Sequence, residues 1–168
     1  IVVLKLKNRS EIYLLIAWLL SLFIISPIGN FPLNDDWAYA LSVQHWLDTG
    51  EYKVIDWPAM TLFTQISWGT LWCKVFGFSF NVLRLSTFLL AIGAIFSFSA
   101  ILKQLQVAAS LRTIALATLL FSPLFFELSL TFMTDVPFLC GVLLACLFFQ
   151  QFLQKGKWHW WLLATAFC

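Results

Sequence analysis

The sequence predicts an all-α polytopic membrane protein, with two short helices lying along the membrane in its first outside loop. Three observations carry this. The 168 residues are 61% hydrophobic and only 11% charged, against about 25% charged in a soluble domain, so too few polar side chains exist to cover a water-facing surface. Mean hydropathy is +0.89. The apolar residues fall into separate runs of span-like length, divided by polar and aromatic stretches.

The first run, about residues 12–30, follows Lys5, Lys7 and Arg9. A basic flank before an apolar segment also describes a signal peptide. The run ends in Ser26-Pro27-Ile28-Gly29-Asn30, however, without a small-residue cleavage pattern, and reads as a retained helix. A polar stretch holding Asp35, Asp36, Asp48, Glu51 and Asp56 comes next. Further spans are expected over about 85–102, 110–129 (interrupted by Pro123) and 136–153. After Lys155-Gly156-Lys157 a fifth starts at 158–168. That last run is shorter than the ~20 residues a span needs. The expectation is therefore one transmembrane module over 1–168 whose C-terminal part is missing.

The segment 61–76 is ambiguous, and charge decides it. If it lies on the surface, Lys5, Lys7, Arg9, Lys103, Arg112, Lys155 and Lys157 are cytoplasmic, and Lys53, Lys74 and Arg84 are outside. That divides the ten basic residues 7 to 3. If it spans, the division is 5 to 5. Short cytoplasmic loops carry the excess of Lys and Arg, so the surface reading is preferred. The loop 31–84 and the short loop 130–135 then open on the same, non-cytoplasmic side. Five of the nine tryptophans (Trp37, Trp46, Trp57, Trp68 and Trp72) fall in the larger loop, as expected at headgroup depth. Surface helices are expected at about 36–49, closed by Thr49-Gly50, and at 61–76.

The net charge of +2 gives no case for a nucleic-acid partner. Cys140, Cys146 and Cys168 sit in apolar runs and read as packing residues. No Cys/His cluster has zinc spacing, and no metal site is expected.

Ionisable groups beside a membrane are costly and therefore candidate functional groups. Asp35 and Asp36 follow the first span, and Asp135 stands at the mouth of the fourth. Two carboxylates converging there would hold an acceptor hydroxyl or amine and take its proton. Helix capping is the alternative for Asp35, Asp36 and Asp135. Arg84 would bind a lipid phosphate or anchor its helix at the headgroups. His45 reads as a solvated surface residue and His159 as an interface residue. Glu127 either lines a cavity or points outward.

The motifs Pro32-Leu33-Asn34-Asp35-Asp36-Trp37-Ala38-Tyr39-Ala40, Trp46-Leu47-Asp48-Thr49-Gly50-Glu51, Phe76-Gly77-Phe78-Ser79-Phe80, Leu83-Arg84-Leu85-Ser86-Thr87 and Leu130-Thr131-Phe132-Met133-Thr134-Asp135-Val136-Pro137 carry a resemblance. In order and spacing they resemble the N-terminal part of the GT-C membrane glycosyltransferases. The likeness is to the bacterial family 39 group, which is related to protein O-mannosyltransferases and to the lipid A aminoarabinose transferases. The resemblance implies transfer of a hexose or pentose from a polyprenyl-phosphate carrier to a glycan, lipid or protein acceptor. It places the reaction on the non-cytoplasmic side of a bacterial inner (plasma) membrane, among membrane lipids. It implies Asp35 as catalytic base and Asp135 as the second-loop acid. Asp36, Tyr39 and Arg84 are the expected substrate-binding residues. Relatives of the lipid A branch carry Lys-Pro-Pro-Leu before the second surface helix; here the region reads Asp56-Trp57-Pro58-Ala59-Met60-Thr61-Leu62, without the lysine.

Two other functions fit an apolar multi-span chain. A transporter or flippase would place polar groups at mid-membrane, whereas the middles of 85–102 and 136–152 carry no charge. A scaffold without chemistry would leave Asp35 and Asp135 free to vary.

Overall fold

A computed structural model describes residues 9–25, 29–58 and 61–167. Lys5, Lys7, the Ser26-Pro27-Ile28 end of the first run, Met60 and Cys168 lie outside the described residues. The described residues form eight helices and no strand: α1 (Arg9–Ile25), α2 (Asp36–Thr49), α3 (Phe63–Phe76), α4 (Phe80–Gln104), α5 (Ala109–Leu120), α6 (Pro123–Leu128), α7 (Asp135–Lys155) and α8 (Trp158–Ala166). The protein is an all-α membrane module. α4 and α7, with 25 and 21 residues, extend about 38 and 32 Å at 1.5 Å per residue. Both exceed the ~30 Å hydrocarbon core.

Local chemistry sets the element ends. α2 stops where Gly50 turns left-handed at φ 77°, its N–H donating to Trp46 C=O at 3.0 Å. Gly77 closes α3 with a different conformation, φ 83° and ψ 156°, its N–H donating to Cys73 C=O at 2.9 Å. α3 begins at Phe63 rather than residue 61 because Leu62 takes a left-handed φ of 48°. The segment 110–129 is divided: Pro123 lacks the N–H that would continue α5 and instead opens α6, a position where that N–H has no helical partner.

The chain divides into two compact units, Ile1–Ser26 with Ala91–Phe126 and Phe138–Cys168, and Pro27–Leu90 with Glu127–Pro137. In the first, α1 packs on α5, and Trp18 stacks on Phe125 with ring centroids 6.1 Å apart. Glu11, at the start of α1, is buried. It meets Lys103 Nζ at 2.8 Å and Arg112 Nε at 3.1 Å, and accepts Ser99 Oγ–H at 3.2 Å. A buried carboxylate with two cations and a hydroxyl donor is compensated, as a buried charge must be.

The second unit has its own core. Ala38, Tyr39 and Val43 of α2 pack with Ile66 and Cys73 of α3, Leu83 of α4, and Phe132 from the 127–137 segment. Phe132 is completely buried. The chain between α2 and α3 is tied down by Ser42, whose Oγ donates to Ala38 C=O at 2.9 Å and accepts Ile55 N–H at 3.2 Å. Gly69 of α3 permits close approach at the centre. A Cβ there would lie 2.5 Å from Phe132 Cζ, 2.9 Å from Leu83 Cδ2 and 3.0 Å from Val43 Cγ2.

Candidate active site

Asp35, Asp36, Tyr39, Arg84 and Asp135 all fall in this second unit. Asp35 and Asp36 are consecutive, yet their environments are opposite. Successive helix positions differ by about 100° around the axis. At the start of α2 that rotation turns Asp36 into the core and leaves Asp35 exposed. Asp36 is 0% exposed. Its Oδ1 accepts the N–H groups of Leu33 at 3.0 Å and Asn34 at 3.3 Å. Its Oδ2 faces Phe132 N–H at 3.5 Å, the long limit of a hydrogen bond. The carboxylate thus holds the turn before α2 and reaches the second loop.

Asp35 occupies the N-cap position of α2 but makes no side-chain cap hydrogen bond. Only its backbone C=O is engaged, accepting Ala38 N–H at 3.0 Å. Its capping alternative therefore does not describe what its carboxylate does. Asp135 is the first residue of α7 and is also exposed.

Tyr39 stands one helical turn beyond Asp35 on the same face of α2 and is almost fully buried. Burial pushes its phenol above the ordinary tyrosine range, and the charges of Asp35 and Asp135 push it further in the same direction. Asp35 and Asp135, 100 positions apart in the chain (135 minus 35), thus both oppose ionisation of one phenol.

Arg84 is 6% exposed. Its Nη1 donates to Gly29 C=O at 3.0 Å, its Nη2 to Phe31 C=O, and its guanidinium lies over the Phe31 ring, 5.4 Å from the centroid. Asn30 Oδ1 accepts Phe80 N–H at 2.9 Å, and Gly29 N–H donates to Asn81 Oδ1 at 3.2 Å. The start of α4 therefore grips the 29–31 turn that leads into Asp35. The remaining candidates stand apart from this arrangement. His45 is half-buried on α2 and Glu127 is exposed at the end of α6. His159 lies in the other unit, with its ring 5.1 Å from Trp160.

The sequence reading missed Gln65, Gly69 and Phe132. Gln65, on the inward face of α3, is 5% exposed; its Nε2 donates to Phe132 C=O at 3.3 Å and to Met133 C=O at 3.4 Å. A local signal existed: Gln65 shares a buried stripe with Ile66, Gly69, Thr70 and Cys73, and an amide in such a stripe needs a partner.

Residues 62–168 match the family described as dolichyl-phosphate-mannose-protein mannosyltransferase. The match takes in Gln65, Arg84 and Asp135. No curated protein and no solved structure matches the chain. The family match covers 107 residues (168 minus 62, plus one) of the 168. On that coverage the chain belongs to the dolichyl-phosphate-mannose-protein mannosyltransferase family, glycosyltransferases that use a polyprenyl-phosphate-linked sugar.

Proposed function

We propose that the unit built on α2, α3 and the 127–137 segment carries the acid–base centre of a GT-C, family 39 type transferase. Its donor is a polyprenyl-phosphate sugar, and its acceptor, a glycan, lipid or protein, is met on the non-cytoplasmic side of a bacterial inner membrane. The observation that carries this reading is that Asp35 and Asp135 belong to one compact unit with the buried Tyr39, whose phenol both charges push up in addition to burial. Both carboxylates are exposed, at the starts of two helices.

In this reaction Asp35 accepts the proton of the acceptor hydroxyl as its oxygen bonds to the sugar's anomeric carbon. The bond from that carbon to the carrier phosphate breaks, and the phosphate leaves with the electron pair, on the lipid. Attack from the opposite face inverts the anomeric configuration. Asp135 orients the acceptor, and Tyr39 offers a neutral O–H near both acids. Asp36 and Arg84 serve the substrate indirectly, by fixing the turn that presents Asp35.

A transporter reading finds less support, because the acids stand at the helix starts while the middles of α4 and α7 are uncharged. The test is Asp35→Asn in the full-length protein, reconstituted with a polyprenyl-phosphate sugar. A general base contributes about 10²–10⁴-fold, so the barrier should rise by about 3–5 kcal/mol. Thermal stability should be unchanged, since no cap bond is lost. Full transfer activity in Asp35→Asn would remove Asp35 as the base.

A further inference from the structure

The geometry points to Gln65 as the residue that sets where Asp135 stands, and so as a positioning residue for transfer. This rests on the reading of Asp35 and Asp135 as the reacting pair. Among the described residues, Asp135 makes no hydrogen bond or ion pair with α2 or α3; its place follows from the loop before it. That loop is anchored at Phe132, whose ring fills the core against Gly69. A ring in a socket can still rotate about its own Cα. The backbone direction is fixed by polar contacts to the peptide units before and after Phe132. Asp36 Oδ2 faces the Phe132 N–H, while the Gln65 amide bridges the consecutive carbonyls of Phe132 and Met133. Two residues later the chain enters α7 at Asp135.

Gln65 is suited to this and to little else. It stands among Ile66, Gly69 and Cys73 on the buried stripe of α3, where an apolar residue of similar size would pack as well. Its NH₂ carries two donors, and the two carbonyls it faces are acceptors only. A carboxylate of the same length presents only acceptors to those carbonyls when ionised, and one O–H donor when protonated. That difference gives a signature which simple loss of packing does not.

The experiment uses the full-length protein in proteoliposomes with a polyprenyl-phosphate sugar, comparing wild type, Gln65→Leu, Gln65→Glu and Asp35→Asn. Gln65→Leu should lower kcat by about 10- to 100-fold, the scale of a displacement near 1 Å, and leave the donor KM within about threefold. Its amide hydrogen exchange should quicken at 131–134 and not within α3. Gln65→Glu should be impaired at pH 8 and recover relative to wild type as pH falls toward 5, because burial favours the neutral, donating acid. Wild-type kcat in Gln65→Leu, with unchanged exchange at 131–134, overturns the proposal. So does a Gln65→Glu to wild-type ratio that is flat with pH, and this arm decides alone if Gln65→Leu does not accumulate. Activity in Asp35→Asn would instead sink the catalytic reading. An inactive Asp35→Asn beside a fully active Gln65→Leu would sink only the positioning role.

Discussion

Replacing Gly69 with alanine tests whether the core of the second unit is as tight as the structure shows. In an ordinary helix this change is favourable by about 0.5–1 kcal/mol, because glycine has more backbone freedom to lose on folding. Here the new methyl would lie 2.5 Å from Phe132 Cζ, 2.9 Å from Leu83 Cδ2 and 3.0 Å from Val43 Cγ2. All three neighbours are completely buried, and the Phe132 backbone is held at its N–H and its C=O. The ring cannot yield without moving the loop. Overpacking costs about 1–3 kcal/mol, and three contacts below normal separation place this site at the upper end. The net loss is therefore about 1–2 kcal/mol, with a fall in transfer activity because the displaced loop carries Asp135. Gly93→Ala is the control: its Cβ meets only the Cys140 sulfur, at 3.2 Å, so its stability should change little. Thermal unfolding of the two full-length variants in the same detergent measures the contrast. Gly69→Ala at or above wild-type stability would refute the packing argument.

Asp36→Ala should destabilise the protein by about 3–5 kcal/mol or prevent its accumulation, since it strips a fully buried carboxylate from the N–H groups it holds; thermal unfolding or expression level reads this. The Tyr39 phenol, raised by burial and then by Asp35 and Asp135, should ionise above the ordinary tyrosine range. Its folded pKa exceeds its unfolded one, so its stabilising share is complete below the unfolded value and is lost as pH rises through the folded value. Ultraviolet difference titration should show Asp35→Asn and Asp135→Asn each bringing that ionisation back down. Glu11→Gln should cost about 1–3 kcal/mol, between an exposed and a fully buried ion pair, because it leaves Lys103 and Arg112 without their shared carboxylate. Cysteines placed at the exposed positions Lys53 and Gln106 should differ toward an impermeant thiol reagent added outside, with only the first labelled; equal labelling would overturn the topology.

What the sequence disclosed was local. The end of α2 was legible in Thr49-Gly50, the break between α5 and α6 in Pro123, and two long spans in uninterrupted apolar runs. The candidate acids were legible because charges at span edges are few. Which of Asp35 and Asp36 faces inward was not, since adjacent letters do not reveal the helix phase at a terminus. Gln65, Gly69 and Phe132 were passed over for a different reason: their meaning lies in contacts 67 and 96 positions apart, and no window of neighbouring residues contains both partners. Glu11 was passed over for the same reason, since its partner Arg112 lies 101 positions on.

The burial of Phe132 also imposes an order on biogenesis. Residues 27–90 emerge from the ribosome with the socket for this ring already encoded by Val43, Gly69 and Leu83, and nothing to fill it. At about 5–20 residues per second, the 42 positions between Leu90 and Phe132 take roughly 2–8 s to make. Through that interval residues 27–90 wait with an open socket, their acidic turn lacking the loop that completes it. The rest of α4, then α5 and α6, must be made before the ring arrives to close the unit. Closure of this unit therefore waits on Phe132, and a nascent chain arrested short of it carries Asp35 without Asp135.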